Sequence, residues 1–317
     1  MFGVLILSVV LAYLTYAVID RPFRSRKPNL QLVLSLLVTL TVVVFGLVQM
    51  EKVTRKARLN SLPDTVLEVK KEKVHGSQKA CRRLFGKGHT ACWIKGQNPT
   101  TLVTGDSHAY WLWNAAKNSD KSIYLVGNAG GMNFENARIK GRKTLKHTEK
   151  IWKQIRTNDQ IQTIVFVGYW HSYLNAMFSY KYKDKSRFEA FQLHWRDALS
   201  ELKDLNKRVI IVLDNPRVSF NPIDRCFNLR QVSLMDRSTK YCKVLRSNVE
   251  NEQQAVRQFF EKMAMDWSNV KLVDSLEALC DSEYCYMVEN DNLLYRDGHH
   301  LSKRGAQKVW KLIEEAI

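Results

Sequence analysis

The chain holds no internal repeat and no low-complexity segment, which excludes solenoids and extended arrays. It has no C-x-x-C pair and no cysteine/histidine spacing suited to zinc, so a finger or ribbon is excluded as well. Although the formal net charge is +18, no basic block is interleaved with aromatics. The positive charges are spread along the chain, which argues against base stacking and therefore against nucleic acid as a partner. An anionic membrane surface or acidic glycans fit such a distribution, as does a merely solvated basic surface.

Two long apolar runs are present. Residues 2–19 and 30–50 are uncharged and largely apolar, and the second, at 21 residues, is long enough to cross a bilayer. The first lacks the basic start and small-residue cleavage site of a signal peptide, and a second apolar run follows it. The expectation is two transmembrane helices over 1–50. Arg21, Arg24, Arg26 and Lys27 between the runs are balanced by Lys52, Arg55, Lys56 and Arg58 after the second, so charge alone leaves orientation open. Cysteine decides it. Cys81, Cys92, Cys226, Cys242, Cys280 and Cys285 all follow the second run, an even set that reads as disulfides in an oxidising compartment. Six cysteines allow many connectivities. Local pairing, Cys81–Cys92, Cys226–Cys242 and Cys280–Cys285, needs the least chain closure. The part beyond residue 50 is thus expected outside the cytoplasm, with the basic loop inside.

Residues 51–98 form a basic, lysine-rich juxtamembrane tether and lead-in. From residue 99 the pattern becomes regular. Short β-rich runs at 101–104, 122–126, 163–167, 209–213 and 270–273 alternate with helical stretches. Phe188, Phe191, Trp195, Ala198, Leu199, Leu202 and Leu205 recur at helical spacing, as do Ala255, Phe259, Phe260 and Met263. Ser302 can cap a last helix that buries Ala306, Val309, Trp310 and Ile313. Fully apolar strands alternating with helices predict an α/β domain over 99–317, with a parallel sheet of about five strands covered on both faces. Loops at the strand C-terminal ends then carry function. Those ends hold Ser107, the loop 127–131, the turn 168–171 and the segment 214–216. A cysteine-bearing excursion near 216–248 interrupts the pattern.

Gly105-Asp106-Ser107-His108 follows the first of these runs, and Asp297-Gly298-His299-His300 stands near the C-terminus. They supply a hydroxyl on a strand-to-helix turn, an imidazole to take its proton and a carboxylate to orient the imidazole. Ser107 is the candidate nucleophile, His300 the base and Asp297 its orienting acid. The three-residue separation favours His300 over its neighbour His299. The competing structural readings are a helix cap for Ser107 and capping or surface roles for the histidines; Asp106 and His108 read as turn and packing residues.

With these blocks in this order, the chain resembles the SGNH (GDSL-like) hydrolases, a three-layer, flavodoxin-like α/β fold. More narrowly it resembles the extracytoplasmic SGNH domain fused to acyltransferase-3 membrane proteins that O-acylate bacterial surface polysaccharides. Ile19-Asp20-Arg21-Pro22-Phe23-Arg24 is similar to the basic stretch that closes the acyltransferase-3 membrane domain. The resemblance implies an oxyanion hole from the Ser107 backbone N–H and a glycine in 127–131. Gly130 is the choice there, with Gly131 the alternative. The third block of the family usually contributes an Asn. Gly168-Tyr169-Trp170-His171 has none, so the Trp170 indole N–H is the expected substitute donor, against a plain packing role.

The resemblance implies serine O-acyl transfer to a cell-surface polysaccharide by a domain held at the bacterial inner membrane, without metal or dissociable cofactor. Little of the multi-helix membrane domain is present, so the acyl group would come from a separate acyltransferase-3-type membrane partner, or the chain is a portion of a longer one. Two alternatives stand beside it: an SGNH-type carbohydrate acetylesterase using water as acceptor, and a non-catalytic glycan-binding scaffold with a decayed site.

Overall fold

The computed structural model describes residues 13, 15–17, 21, 30–60, 62, 64–73, 76–131, 134–139, 146–227 and 242–317. The chain divides into two compact units, Met1–Ser61 and Leu62–Ile317.

In the first unit, helix α1 (Leu30–Asn60) is one continuous element of 31 residues. The second of the expected membrane spans is not found among the described residues. Residues 2–19 lie almost wholly outside the described residues, and among the described residues no helix is long and apolar enough to cross a membrane. The second apolar run is instead the leading part of α1, which continues without a break through Glu51, Lys52 and Lys56. Leu34, Leu37, Val38, Leu40, Val42, Phe45, Leu47 and Met50 on this helix are each more than half exposed.

The second unit is built on a sheet of seven strands: β1 (Gly76–Ser77), β2 (Ala91–Lys95), β3 (Thr101–Gly105), β4 (Ile123–Gly127), β5 (Thr163–Val167), β6 (Arg208–Val212) and β7 (Val270–Val273). Their spatial order is β1-β2-β4-β3-β5-β6-β7. The five strands read from the sequence form the parallel part. Two edge strands add to them: β2 runs antiparallel to β4, and β1 pairs parallel with β2. These come from the stretch before residue 99, where helix α2 (Lys79–Phe85) also forms.

Every residue of β3, β4 and β5 is buried, as expected for strands covered on both faces. Alternation along each strand divides them between two layers. Leu102, Tyr124, Ile164, Phe166, Val209 and Ile211 join one core. Helices α4 (Lys146–Thr157), α6 (Arg187–Asp204) and α7 (Arg246–Asp266) supply the opposing side chains Ile155, Trp195, Leu199 and Phe260. On α6, Ser186 closes a capping box with Glu189, which fixes where the helix begins. The opposite layer holds α3 (Ser107–Trp111) and α8 (Lys303–Ala316). Ser302 caps α8 as read from the sequence, accepting from Gly305 N at 3.2 Å.

Cysteines pair as Cys81–Cys92, Cys226–Cys242 and Cys280–Cys285. The first ties α2 to β2, covalently fixing the edge of the sheet that lacks a long parallel neighbour. Removing it by Cys81→Ala with Cys92→Ala should lower the unfolding free energy by about 2–4 kcal/mol in denaturant melts. Non-reducing peptide mapping should return these three pairs; six free thiols in native protein would overturn the assignment.

Candidate active site

Strand β3 ends at Gly105, where it lies opposite Val167 of β5 and Gly127 of β4. A Cβ on Gly105 would meet Val167 O at 1.7 Å, so only glycine lets the two strand ends approach. The chain then turns through Asp106, the N-cap of α3, whose Oδ1 accepts from His108 N at 2.8 Å. Ser107 follows as the first residue of α3, with its backbone N–H in the turn that has no intrahelical acceptor.

Asp297, Gly298, His299 and His300 precede α8. The Asp297 side chain accepts from His299 N and His300 N through Oδ1, at 3.1 and 2.9 Å, which folds the loop into a tight turn. Its Oδ2 lies 2.8 Å from His300 Nδ1, and His300 Nε2 lies 2.8 Å from Ser107 Oγ. The structure therefore brings Ser107, His300 and Asp297 into one hydrogen-bonded chain across 193 residues of sequence. Burial works to raise the Asp297 carboxyl. The bond and charge of His300, with the two backbone N–H groups, outweigh it and hold the carboxyl well below the usual carboxylate range.

His299 points elsewhere. Its Nδ1 lies 3.1 Å from His108 Nε2, and Tyr169 stacks on both rings, with centroids 5.1 Å from His108 and 5.0 Å from His299. His108 is buried, and that burial, with His300 and His299 nearby, pushes its imidazole well below the ordinary value. Burial, then the neighbouring His300, lowers His299 too.

Of the expected oxyanion donors, Ser107 stands at the helix start and Gly130 takes φ +61° in the loop after β4. Gly131, the alternative, has its N–H committed to Asn128 O at 2.9 Å. Trp170 is a correction. Its side chain is fully buried, and its indole N–H donates to Val212 O at 2.7 Å. Inside a ring cluster with Tyr173, Trp195 and Phe260 it is a packing residue.

Two buried carboxylates not foreseen as site residues shape this corner. Besides capping α3, Asp106 accepts from Tyr169 N at 2.7 Å and from the Tyr173 hydroxyl at 2.8 Å, both through Oδ2. Asp214, just past β6, accepts from Trp170 N and His171 N, each at 2.7 Å, and so caps helix α5 (Trp170–Ala176). Asn215 beside it donates to His299 O at 2.7 Å. The sequence signal for both was their position at a strand C-terminal end.

A serine–histidine–carboxylate chain at the C-terminal edge of a mostly parallel, three-layered sheet defines an α/β protein of the serine-esterase and acyl-transfer type. The family model described as "SGNH domain (fused to AT3 domains)" matches residues 75–315, and the chain belongs to that family. Among solved structures, the periplasmic domain of a Salmonella ser. Paratyphi A lipopolysaccharide acetyltransferase is similar at 15% identity and TM-score 0.51, covering 81% of this chain and 98% of that one. An aryl esterase of M. smegmatis is similar at 10% identity and TM-score 0.42, covering 69% and 97%. A GDSL-like lipase of Bacteroides thetaiotaomicron is similar at 11% and 0.38, covering 69% and 88%. No curated protein matches.

Burial raises the Asp214 carboxyl from 3.8 to about 7, against the lowering effect of the His171 and Trp170 N–H bonds. Because the folded value lies above the unfolded one, the native state holds a proton that the unfolded state releases between these values. Stability from this group is thus full below about pH 4 and is lost as pH rises through about 7. Asp214→Asn should flatten that part of the pH–stability curve, read as the wild-type-minus-variant difference in urea melts from pH 4 to 8. A difference that does not vary with pH would show that Asp214 is not the titrating group. Trp170→Phe should retain acyl-ester turnover while costing about 1–2 kcal/mol of stability for the lost bond to Val212 O.

Proposed function

We propose that this chain is an extracytoplasmic serine O-acyltransferase acting on a cell-surface polysaccharide, with Ser107, His300 and Asp297 as its reacting unit. The observation that carries the reading is the continuous chain Ser107 Oγ–His300 Nε2–His300 Nδ1–Asp297 Oδ2, with both links at 2.8 Å. Ser107 Oγ attacks the acyl carbonyl of the donor as His300 Nε2 takes the hydroxyl proton. The Ser107 and Gly130 backbone N–H groups face the developing oxyanion. The leaving group departs with the proton from His300, leaving acyl-Ser107. A carbohydrate hydroxyl then gives its proton to His300 and attacks the ester, releasing the acylated sugar and restoring Ser107. Asp297 keeps a proton on Nδ1, so that Nε2 presents its lone pair whenever the imidazole is neutral, before each of the two attacks.

Family membership and the acetyltransferase fold neighbour support acyl transfer. Three disulfides in the unit Leu62–Ile317 support an oxidising location outside the cytoplasm. The exposed apolar side chains of α1 support attachment to the bacterial inner membrane, since a surface of that extent is not left in water. An acyltransferase-3-type membrane partner would deliver the acyl group. Hydrolysis, with water as acceptor, is the second reading. It is favoured by the open site, where the Asp297 side chain is 38% exposed. The intact hydrogen-bonded unit counts against a decayed, purely scaffolding site.

Ser107→Ala should reduce p-nitrophenyl acetate turnover by about 10⁴-fold with an unchanged circular-dichroism spectrum, and His300→Ala nearly as much. The double variant should lose little more, because groups acting as a unit are not additive. Brief exposure to substrate should leave an acyl adduct on Ser107 by mass spectrometry. His299→Ala should retain most activity, and Asp297→Asn should be impaired but less completely. Additive losses in the double variant, an adduct elsewhere, or a dead His299→Ala would refute the assignment.

A further inference from the structure

We propose that His108, His299 and His300 form a binding site for a borderline divalent transition-metal ion such as zinc, and that the bound ion closes the serine site. The closure rests on the reading of His300 as the base; the metal site does not. One ring nitrogen from each histidine lies within 4.8 Å of the other two. His108 Nε2 and His299 Nδ1 are only 3.1 Å apart. A tetrahedral zinc ion with Zn–N bonds of about 2.0–2.1 Å separates its ligand nitrogens by about 3.3 Å, so small ring movements suffice.

One outer contact is of the kind that metal sites use. Ligating imidazoles bind through one nitrogen while the other is held by a carboxylate or carbonyl oxygen. Asp297 Oδ2 holds His300 Nδ1 at 2.8 Å, leaving Nε2 for the ion. Asn215 donates from Nδ2 to the backbone oxygen of His299 at 2.7 Å, which steadies the loop that carries two of the three ligands. Three imidazoles with no carboxylate ligand select zinc, copper or nickel over magnesium or calcium. His299 and His300 are part-exposed, which gives the ion an approach from solvent, and His108 forms the buried floor.

Coordination and catalysis compete for the same electron pair. With the Nε2 lone pair of His300 on the ion, the proton of Ser107 has no acceptor, and attack on an acyl group stops. Removal of the ion restores the pair. Such a site makes acyl transfer sensitive to free transition metal, an exposure that a domain outside the cytoplasm meets directly.

The test uses the full purified chain, metal-stripped, titrated with zinc chloride by isothermal calorimetry and assayed with p-nitrophenyl acetate. Wild type should bind one ion per chain, and turnover should fall with the same midpoint and return on chelation. His108→Gln and His299→Gln should each weaken binding at least about tenfold, since loss of even an outer contact typically costs that much. His299→Gln should keep its basal turnover and lose zinc sensitivity. Absence of saturable binding, or binding unchanged in both variants, overturns the site. Histidine-dependent binding with turnover unaffected at saturation overturns the closure. A metal-free chain without turnover that still binds zinc through these residues supports the metal site and counts against the acyl-transfer reading instead.

Discussion

The buried carboxylate of Asp106 is the constraint on which the rest of the site depends. A charge at this depth persists only if its oxygens are bonded, and His108 N, Tyr169 N and the Tyr173 hydroxyl bond them. Those donors sit at the start of α3, in the turn after β5 and on α5, so satisfying one carboxylate fixes the segment after β3 to the segment after β5. Ser107 is the first helical residue after this cap, and its position follows directly. Asp214 repeats the device one strand further on, bonding Trp170 N and His171 N. The 168–171 turn is therefore held from both sides by carboxylates, and the wall formed by Tyr169 against His108 and His299 is set by backbone bonds rather than by surface contacts.

This arrangement bears on the missing third-block Asn. Were Trp170 a donor to substrate, its indole would need to leave a cluster of aromatic rings and break its bond to Val212 O. The cost of exposing so large a buried side chain exceeds what one oxyanion bond returns. In the proposed mechanism the oxyanion is thus left to the backbone N–H groups of Ser107 and Gly130. Loss of one donor from such a hole typically costs ~10²–10³ in rate. On the proposed acyl-transfer reading, slow attack by water suits an enzyme whose acyl-serine must survive until a sugar arrives.

Much of this was legible in the sequence because its physical signals are local. The five parallel strands are short, fully apolar runs between amphipathic helices, and each lies within a residue of its expected bounds. Ser107, Asp297 and His300 were legible because a hydroxyl after a strand and a carboxylate three residues before an imidazole are patterns of spacing. What was not legible depends on distant partners. Strand β1 is two residues long and carries no alternation to read, while β2 forms against the edge presented by β4. Nothing near Trp170 in sequence says that its indole faces Val212 O. Nothing near Asp106 says that its second oxygen meets a turn 63 residues on. The apolar run at 30–50 raised the expectation of a span because length and lack of charge were all the sequence offered; α1 continues beyond it.

On the proposed mechanism, the choice between sugar and water as acceptor is a matter of relative access to acyl-Ser107. In a closed pocket, water is excluded and the bound acceptor wins by proximity. Here the reacting unit is shallow: the His300 side chain is 17% exposed and that of Asp297 38%. Exclusion must therefore come from the acceptor, whose sugar ring would lie over the loop of His299 and His300 and displace the water there. On this reading the chain alone behaves as a slow esterase and becomes a transferase when glycan covers the site. The same openness that lets water in also lets a metal ion reach His299 and His300, so an acceptor seated over these rings shields the base from both.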